Sequence, residues 1–189
     1  MQNIIFITGN EYKFEQAKAA LKDTGIVLTQ QNLDTPEIQS VKVEEVASFS
    51  SKWASEKLNQ PVILTDTGYS FEALNGFPGP FIKYINQWFT AQDFLNLMAG
   101  KTNRKIIVTQ CLSYCEPGKE PVNFTGSVEG TVSNHIGSTG NWKTPINQIY
   151  VPRGYDKVVG DLPMEEMIKH WNGDTVWSQL VTFLKTKNS

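Results

Sequence analysis

Lys13 follows the turn Thr8-Gly9-Asn10 by three residues, where an apolar β-branched run gives way to a helical pattern. A strand that turns straight into a helix presents unpaired N–H groups with partial positive charge, which suit phosphate oxygens. Lys13 adds a full charge at the same place. Read more plainly, the stretch is an ordinary strand-to-helix turn, with Asn10 as N-cap and Lys13 solvated. It matches neither the P-loop nor the dinucleotide fingerprint.

Two carboxylates offer a second piece of chemistry. Asp66 stands just past the apolar run Pro61–Leu64 and is followed by Thr67-Gly68, while Glu37 follows Pro36 in the loop Asp34-Thr35-Pro36-Glu37. Ligands of α/β proteins bind off the carboxyl ends of strands, so both acids are placed to meet there. Such a pair suits Mg²⁺, a hard cation that keeps several waters and shares a substrate phosphate. The plainer reading is that Asp66 caps the next helix and Glu37 is a surface acid. A third stretch, Ala73-Leu74-Asn75-Gly76-Phe77-Pro78-Gly79-Pro80-Phe81-Ile82-Lys83, holds a rigid Gly/Pro turn from which Lys83 emerges at the start of a helix. A cation there is disfavoured by the helix dipole unless an anion is near, so Lys83 is either a second phosphate contact or a solvated lysine.

Other residue types say less. His135 and His170 lack metal-ligand spacing, which argues against zinc. Cys111 and Cys115 fall on one face of a strand and read as buried thiols. No GxSxG and no Cys–His pairing marks a nucleophilic site. Trp142 sits in a polar loop, where its ring is either packing or a surface for stacking a base.

These residues need a scaffold. The periodicity predicts strands at Asn3–Thr8, Ile26–Gln30 and Pro61–Leu64. It predicts helices at Tyr12–Lys22 (face Phe14, Ala17, Leu21), Val43–Leu58 (face Val46, Phe49, Trp53) and, for the most part, Phe81–Met98. Lys105–Tyr114 and Val122–Val132 read as a hairpin across Glu116–Glu120, and Ile149–Pro152 as a short strand. Met164–Trp171 and Thr175–Lys185 read as terminal helices, with Asp174 capping the second. Residues 133–148 carry no clear pattern. The sum is an α/β fold, a mixed sheet with helices around it, in a single domain over 1–189. The chain has 189 residues, 40% of them hydrophobic and 11% aromatic, with a net charge of −2. That composition excludes intrinsic disorder and argues against partners held by a basic face, either nucleic acid or an anionic membrane. No apolar run is long enough to span a membrane and no signal peptide opens the chain, so the cytoplasm is the expected compartment.

Taken together, Thr8–Lys13 (TGNxxK), Glu37 after proline, Asp66-Thr67-Gly68 with the 73–83 stretch, and Phe124-Thr125-Gly126-Ser127-Val128-Glu129-Gly130 resemble the Ham1 family of inosine triphosphate pyrophosphatases over residues 3–132. The resemblance implies an elongated mixed sheet flanked by helices, with two lobes and a central cleft, in a homodimer. It implies Mg²⁺-dependent hydrolysis of a non-canonical purine nucleoside triphosphate to the monophosphate and pyrophosphate, cleansing the nucleotide pool. It assigns Thr8, Gly9, Asn10 and Lys13 to the triphosphate, Glu37 and Asp66 to Mg²⁺, Asp66 also to activation of water, Thr67 to substrate and Lys83 to phosphates. Lys52 resembles a further helix lysine of the family with a register slip of about two residues.

The departures fall in base recognition. Thr65 replaces the acid that the family carries before Asp66. Gly140-Asn141-Trp142-Lys143-Thr144-Pro145 stands for the family's F-G-Y/W-D-P, keeping an aromatic (Trp142) and a proline but not the Asp. Lys169-His170-Trp171 stands for Ser-His-Arg, with only His170 matching, and Glu165 replaces a lysine just before it. A pocket rewritten in this way shifts its base preference. Two alternatives keep the fold: a nucleotide-binding sensor without catalysis, and a phosphatase acting on another phosphorylated metabolite.

Overall fold

A computed structural model of the chain describes residues 2–22, 24–140, 143–172 and 176–187. The chain divides into two compact units. The first comprises Met1–Asp66, Gln110–Gly126 and Asp174–Ser189; the second comprises Thr67–Thr109 and Ser127–Gly173. Three long strands contribute to both, namely β3 (Val62–Phe71), β5 (Lys105–Cys115) and β6 (Val122–Val132).

In the first unit, β1 (Gln2–Ile7) lies between β2 (Ile26–Gln31) and β3, parallel to both, with Ile7 opposite Gln31 and Leu64. Being central, β1 is apolar on both faces. Ile4 and Phe6 pack beneath α1 (Glu11–Ala20) and α6 (Val176–Lys187), beside Ala17, Leu21, Ile63, Trp177 and Leu180. Ile7 faces the other way, toward α2 (Val43–Leu58), with Ala47, Ala54, Val62, Leu64 and the two cysteines. The mixed sheet with flanking helices that the sequence predicts is therefore present.

The α2 face differs from its prediction. Val46 is buried, but Phe49 is 43% exposed, and Trp53 is half-buried beneath the Lys57 ammonium, 4.4 Å from its ring. The buried stripe is instead Val43, Ala47, Ser50, Ser51, Ala54 and Ser55. Small residues let this helix approach the sheet, and each buried hydroxyl has a partner. Ser50 donates to the Pro36 carbonyl, Ser51 meets Ser113, and Ser55 lies 3.3 Å from Cys115 Sγ. With their hydrogen bonds made, these serines carry little of the usual burial cost.

In the second unit, β4 (Pro78–Gly79) pairs antiparallel with the far half of β3, and β7 (Tyr150–Pro152) pairs antiparallel with β6. The predicted 81–98 helix is two helices, α3 (Ile82–Trp88) and α4 (Ala91–Leu97), the second opened by a capping box between Thr90 and Asp93. The patternless 133–148 stretch ends in a 3₁₀ turn, Pro145–Gln148, and α5 (Met164–Asn172) closes the unit. The core gathers Phe71, Phe94, Met98, Ile106, Ile146, Ile149, Tyr150 and Met167. The predicted cap Asp174 lies outside the described residues.

Asp66 does not sit beyond the end of a strand. β3 continues through Thr65-Asp66-Thr67-Gly68 to Phe71, with Tyr69 opposite Gly79 and Ser70 opposite Pro78. The polar residues keep the alternating pattern of a strand, and pairing with β4 holds them extended.

Candidate active site

The first unit holds seven of the candidate site residues, Thr8, Gly9, Asn10, Lys13, Glu37, Lys52 and Asp66. Thr8 is anchored at the end of β1: its N–H donates to the Gln31 carbonyl and its carbonyl accepts from Gln30. Its hydroxyl oxygen accepts the Asn10 N–H at 3.1 Å. Gly9 packs close to Asn32: a Cβ there would lie 2.8 Å from the Asn32 side-chain oxygen, which would have to shift. Asn10 Oδ1 accepts the Tyr12 N–H at 2.9 Å and the Lys13 N–H at 3.2 Å. The capping reading is thus realised: Asn10 takes up two donors of the helix end. Lys13 is half-buried in the first turn of α1, three residues after Asn10.

Glu37 is exposed in the loop between β2 and α2, a loop tied to α2 where Ser50 donates to Pro36. Asp66 is part-buried in β3. Its charge is felt by Cys111 on β5: burial, with Glu44 and Asp66 beyond it, pushes that thiol up to about 12 against a hydrogen bond with Thr125. Cys111 is therefore a protonated, inert thiol, as expected. Glu44, in the first turn of α2, is a carboxylate near this region that sequence reasoning missed. Its only signal there was an acid at a helix start. Among the described residues, no three His, Cys, Asp or Glu form a metal-binding cluster.

Lys52 pairs with Glu120 at 2.5 Å, which holds its ammonium above the usual lysine range. The pair borders an open pocket of about 410 Å³ lined by α2 (Glu44, Ser48, Phe49), Ile38 and Asn123.

The second unit holds the rest. Thr67 lies in β3, and Lys83 lies in the first turn of α3 with its ammonium 5.7 Å from the Tyr84 ring. Trp142 is outside the described residues. Earlier in the same stretch, Ser138 donates from its hydroxyl to the Gly160 carbonyl and from its N–H to Asp161, holding that carboxyl below its usual range. Lys143 adopts positive φ, and Pro145 opens the 3₁₀ turn. In the first unit, beside Asp66 in the chain, Thr65 carries a buried hydroxyl oxygen that makes no hydrogen bond.

His170 on α5 is half-buried among aromatic rings: Trp171 at 4.6 Å, Tyr150 at 6.1 Å and Tyr155 at 6.2 Å. Burial pushes its pKa down to about 4, so it is neutral at pH 7. Tyr155 donates to Glu166, and Tyr150 lies within reach of His170. Tyr150, Tyr155 and Glu166 were not singled out from sequence, because only folding brings the two tyrosines beside His170 and Glu166 against Tyr155.

The geometry defines an α/β protein with lysine and carboxamide groups at helix starts, one carboxylate within β3 and another in the loop after β2. The sequence model of the Ham1 family matches residues 4–172, and the chain belongs to that family. It is 39% identical over 167 residues to the dITP/XTP pyrophosphatase of Methanopyrus kandleri, covering 88% of this chain and 87% of that one. It is 32% identical over 148 residues to the inosine triphosphate pyrophosphatase of Batrachochytrium dendrobatidis, covering 78% and 77%. A HAM1 protein from Coxiella burnetii has the same fold, with a TM-score of 0.82 at 20% identity over 98% of this chain and all of that one.

Proposed function

We propose that this chain is a nucleoside triphosphate pyrophosphatase that takes a non-canonical purine nucleotide. Water cleaves the anhydride between the α- and β-phosphates, and nucleoside monophosphate and pyrophosphate leave. The observation that carries this reading is the family match over residues 4–172, among relatives named for the same reaction.

The roles follow from the chemistry of the groups. Lys13 and the Asn10 amide receive phosphate oxygens, with Thr8 and Gly9 shaping the turn. Lys83, and Lys52 once released from Glu120, add positive charge. Asp66 orients and deprotonates the attacking water, and Thr67 contacts substrate. His170 and Trp142 meet the base. Glu37 and Asp66 are hard oxygen donors, and two carboxylates completed by phosphate oxygens fit Mg²⁺ better than a soft-ligand metal. Glu37 and Asp66 would hold the ion, which would supply neutralisation of triphosphate charge. Among the described residues no helix is long and apolar enough to cross a membrane, in keeping with a cytoplasmic homodimer acting on free nucleotides.

The test is a substrate panel with Mg²⁺, counting pyrophosphate and orthophosphate separately, with Asp66→Asn as control. Pyrophosphate release that Asp66→Asn abolishes is the expected result. Orthophosphate instead would turn the reading to a phosphatase. Triphosphate binding without hydrolysis would turn it to a sensor.

A further inference from the structure

Met167, His170 and Trp171 stand at i, i+3 and i+4 on α5, so they share one face of the helix. Met167 is buried in the core of the second unit, and Trp171 packs against that core while staying half-exposed, as His170 does. The face is thus sealed at Met167 and open to solvent toward the helix C-terminus. Tyr150 backs the open end. Its ring, fully buried, is stacked with the indole of Trp171 at 6.1 Å and 22°. The Tyr150 hydroxyl donates to the Glu129 carbonyl at 3.4 Å, and its ring crosses β6 at Gly130, where there is no room even for a methyl group. Trp171 therefore has a fixed support on its inner side, and what it shows to solvent is turned away from the core.

The imidazole of His170 lies 4.6 Å from the indole, so a planar molecule laid on the indole sits beside His170. Neither ring carries a charge at pH 7, and the Glu166 carboxylate on the same helix is held by the Tyr155 hydroxyl at 2.8 Å. The open end offers ring surface rather than charge. A nucleobase stacks on such a surface whatever its edge carries, because every base has a π-face.

We propose that Trp171 contacts the substrate directly, its indole being the platform on which the purine base stacks. This inference rests on the reading of the chain as a pyrophosphatase of purine nucleotides. An indole where the family's pattern has arginine gives up forked donors and gains ring area. Its contribution is therefore shared by all purines, and preference among them is left to groups at the edge of the base.

The chain has five tryptophans. Labelled with 5-fluorotryptophan it gives one ¹⁹F resonance for each, and the resonance that Trp171→Phe removes is that of Trp171. The expected spectrum shows an NOE between this fluorine and the ring protons of inosine monophosphate added at millimolar concentration. The expected kinetics show Trp171→Ala lowering kcat/KM about tenfold for inosine and adenosine triphosphate alike, with Trp171→Phe recovering most of the loss. Absence of the NOE overturns the inference, as do equal losses in Trp171→Ala and Trp171→Phe proteins that melt like the parent. The spectrum needs no turnover, so failure of the proposed hydrolysis, seen as no pyrophosphate from any substrate, is read apart from failure of the stacking.

Discussion

Ser51 Oγ on α2 and Ser113 Oγ on β5 lie 2.8 Å apart with neither residue exposed. Ser51 also donates to the Ser48 carbonyl at 3.1 Å, so the proton between the two serines is Ser113's. Their removal is therefore unequal. Ser51→Ala strips the Ser113 hydroxyl of its acceptor and costs about 1–3 kcal/mol, whereas Ser113→Ala leaves Ser51 bonded and costs about 1 kcal/mol or less. Urea unfolding of both variants checks the order; equal losses would show the donor has been placed on the wrong serine.

Asn10 caps α1 and has a proposed substrate role, and one substitution separates the two. Asn10→Ala removes the acceptor of two helix N–H groups and costs about 0.5–2 kcal/mol. Asn10→Asp keeps that acceptor and suits the helix dipole, yet sets a negative charge beside the anion site. The expected Asn10→Asp protein melts like the parent and has a KM for triphosphate raised at least tenfold. An unchanged KM would take Asn10 out of the substrate site and leave it a cap.

Lys52 is the other double reading. Its ion pair with Glu120 is exposed, so Glu120→Gln should leave Tm unchanged within error. If the ammonium serves phosphates, Lys52→Gln raises KM while Glu120→Gln lowers it or leaves it alone, because the lysine is then released. Parallel effects of the two variants would assign the pair to structure only.

Gly130 is where Tyr150 crosses β6. Gly130→Ala would bring its new carbon within 2.4 Å of the Val151 carbonyl as well as against the ring. Overpacking of this kind costs about 1–3 kcal/mol. Thermal unfolding reads the loss, and a Tm equal to the parent's would show that β7 gives way freely.

His170 makes stability depend on pH. Its pKa is near 6.5 in an open chain and about 4 in the fold, where Tyr150, Tyr155 and Trp171 surround it and the Glu166 carboxylate is engaged by Tyr155. Between those values the unfolded chain binds a proton that the folded one does not. Stability therefore rises with pH across that window and is lost as pH falls from about 6.5 toward 4. His170→Gln should flatten this slope in urea titrations at pH 6.5, 5.5 and 4.5; identical slopes would contradict the burial of His170.

Local signals read well. The bounds of α2 and β6 match their predicted bounds, and Asn10 was read as a cap, because each depends on residues within a turn or a pleat of one another. Phe49 misled because a large apolar residue outranks three serines on any hydropathy reading, while the fold used the serines' small size and their bonds to Pro36, Ser113 and Cys115. Asp66 misled because polar residues mimic a strand end until the pairing of Tyr69 with Gly79 is known. Around His170, Glu129 and Tyr150 come from separate strands, and no spacing within one segment announces them.

The order of segments along the chain bears on how such a protein can change over generations. The second unit is two passages, Thr67–Thr109 and Ser127–Gly173, let into a chain whose other segments build the first. Insertions, deletions and drift in the 133–148 stretch leave untouched the segments that carry Thr8 to Lys13, Glu37 and Asp66. On the roles proposed above, a lineage that alters only 133–148 changes its base contacts and keeps the segments that carry those groups.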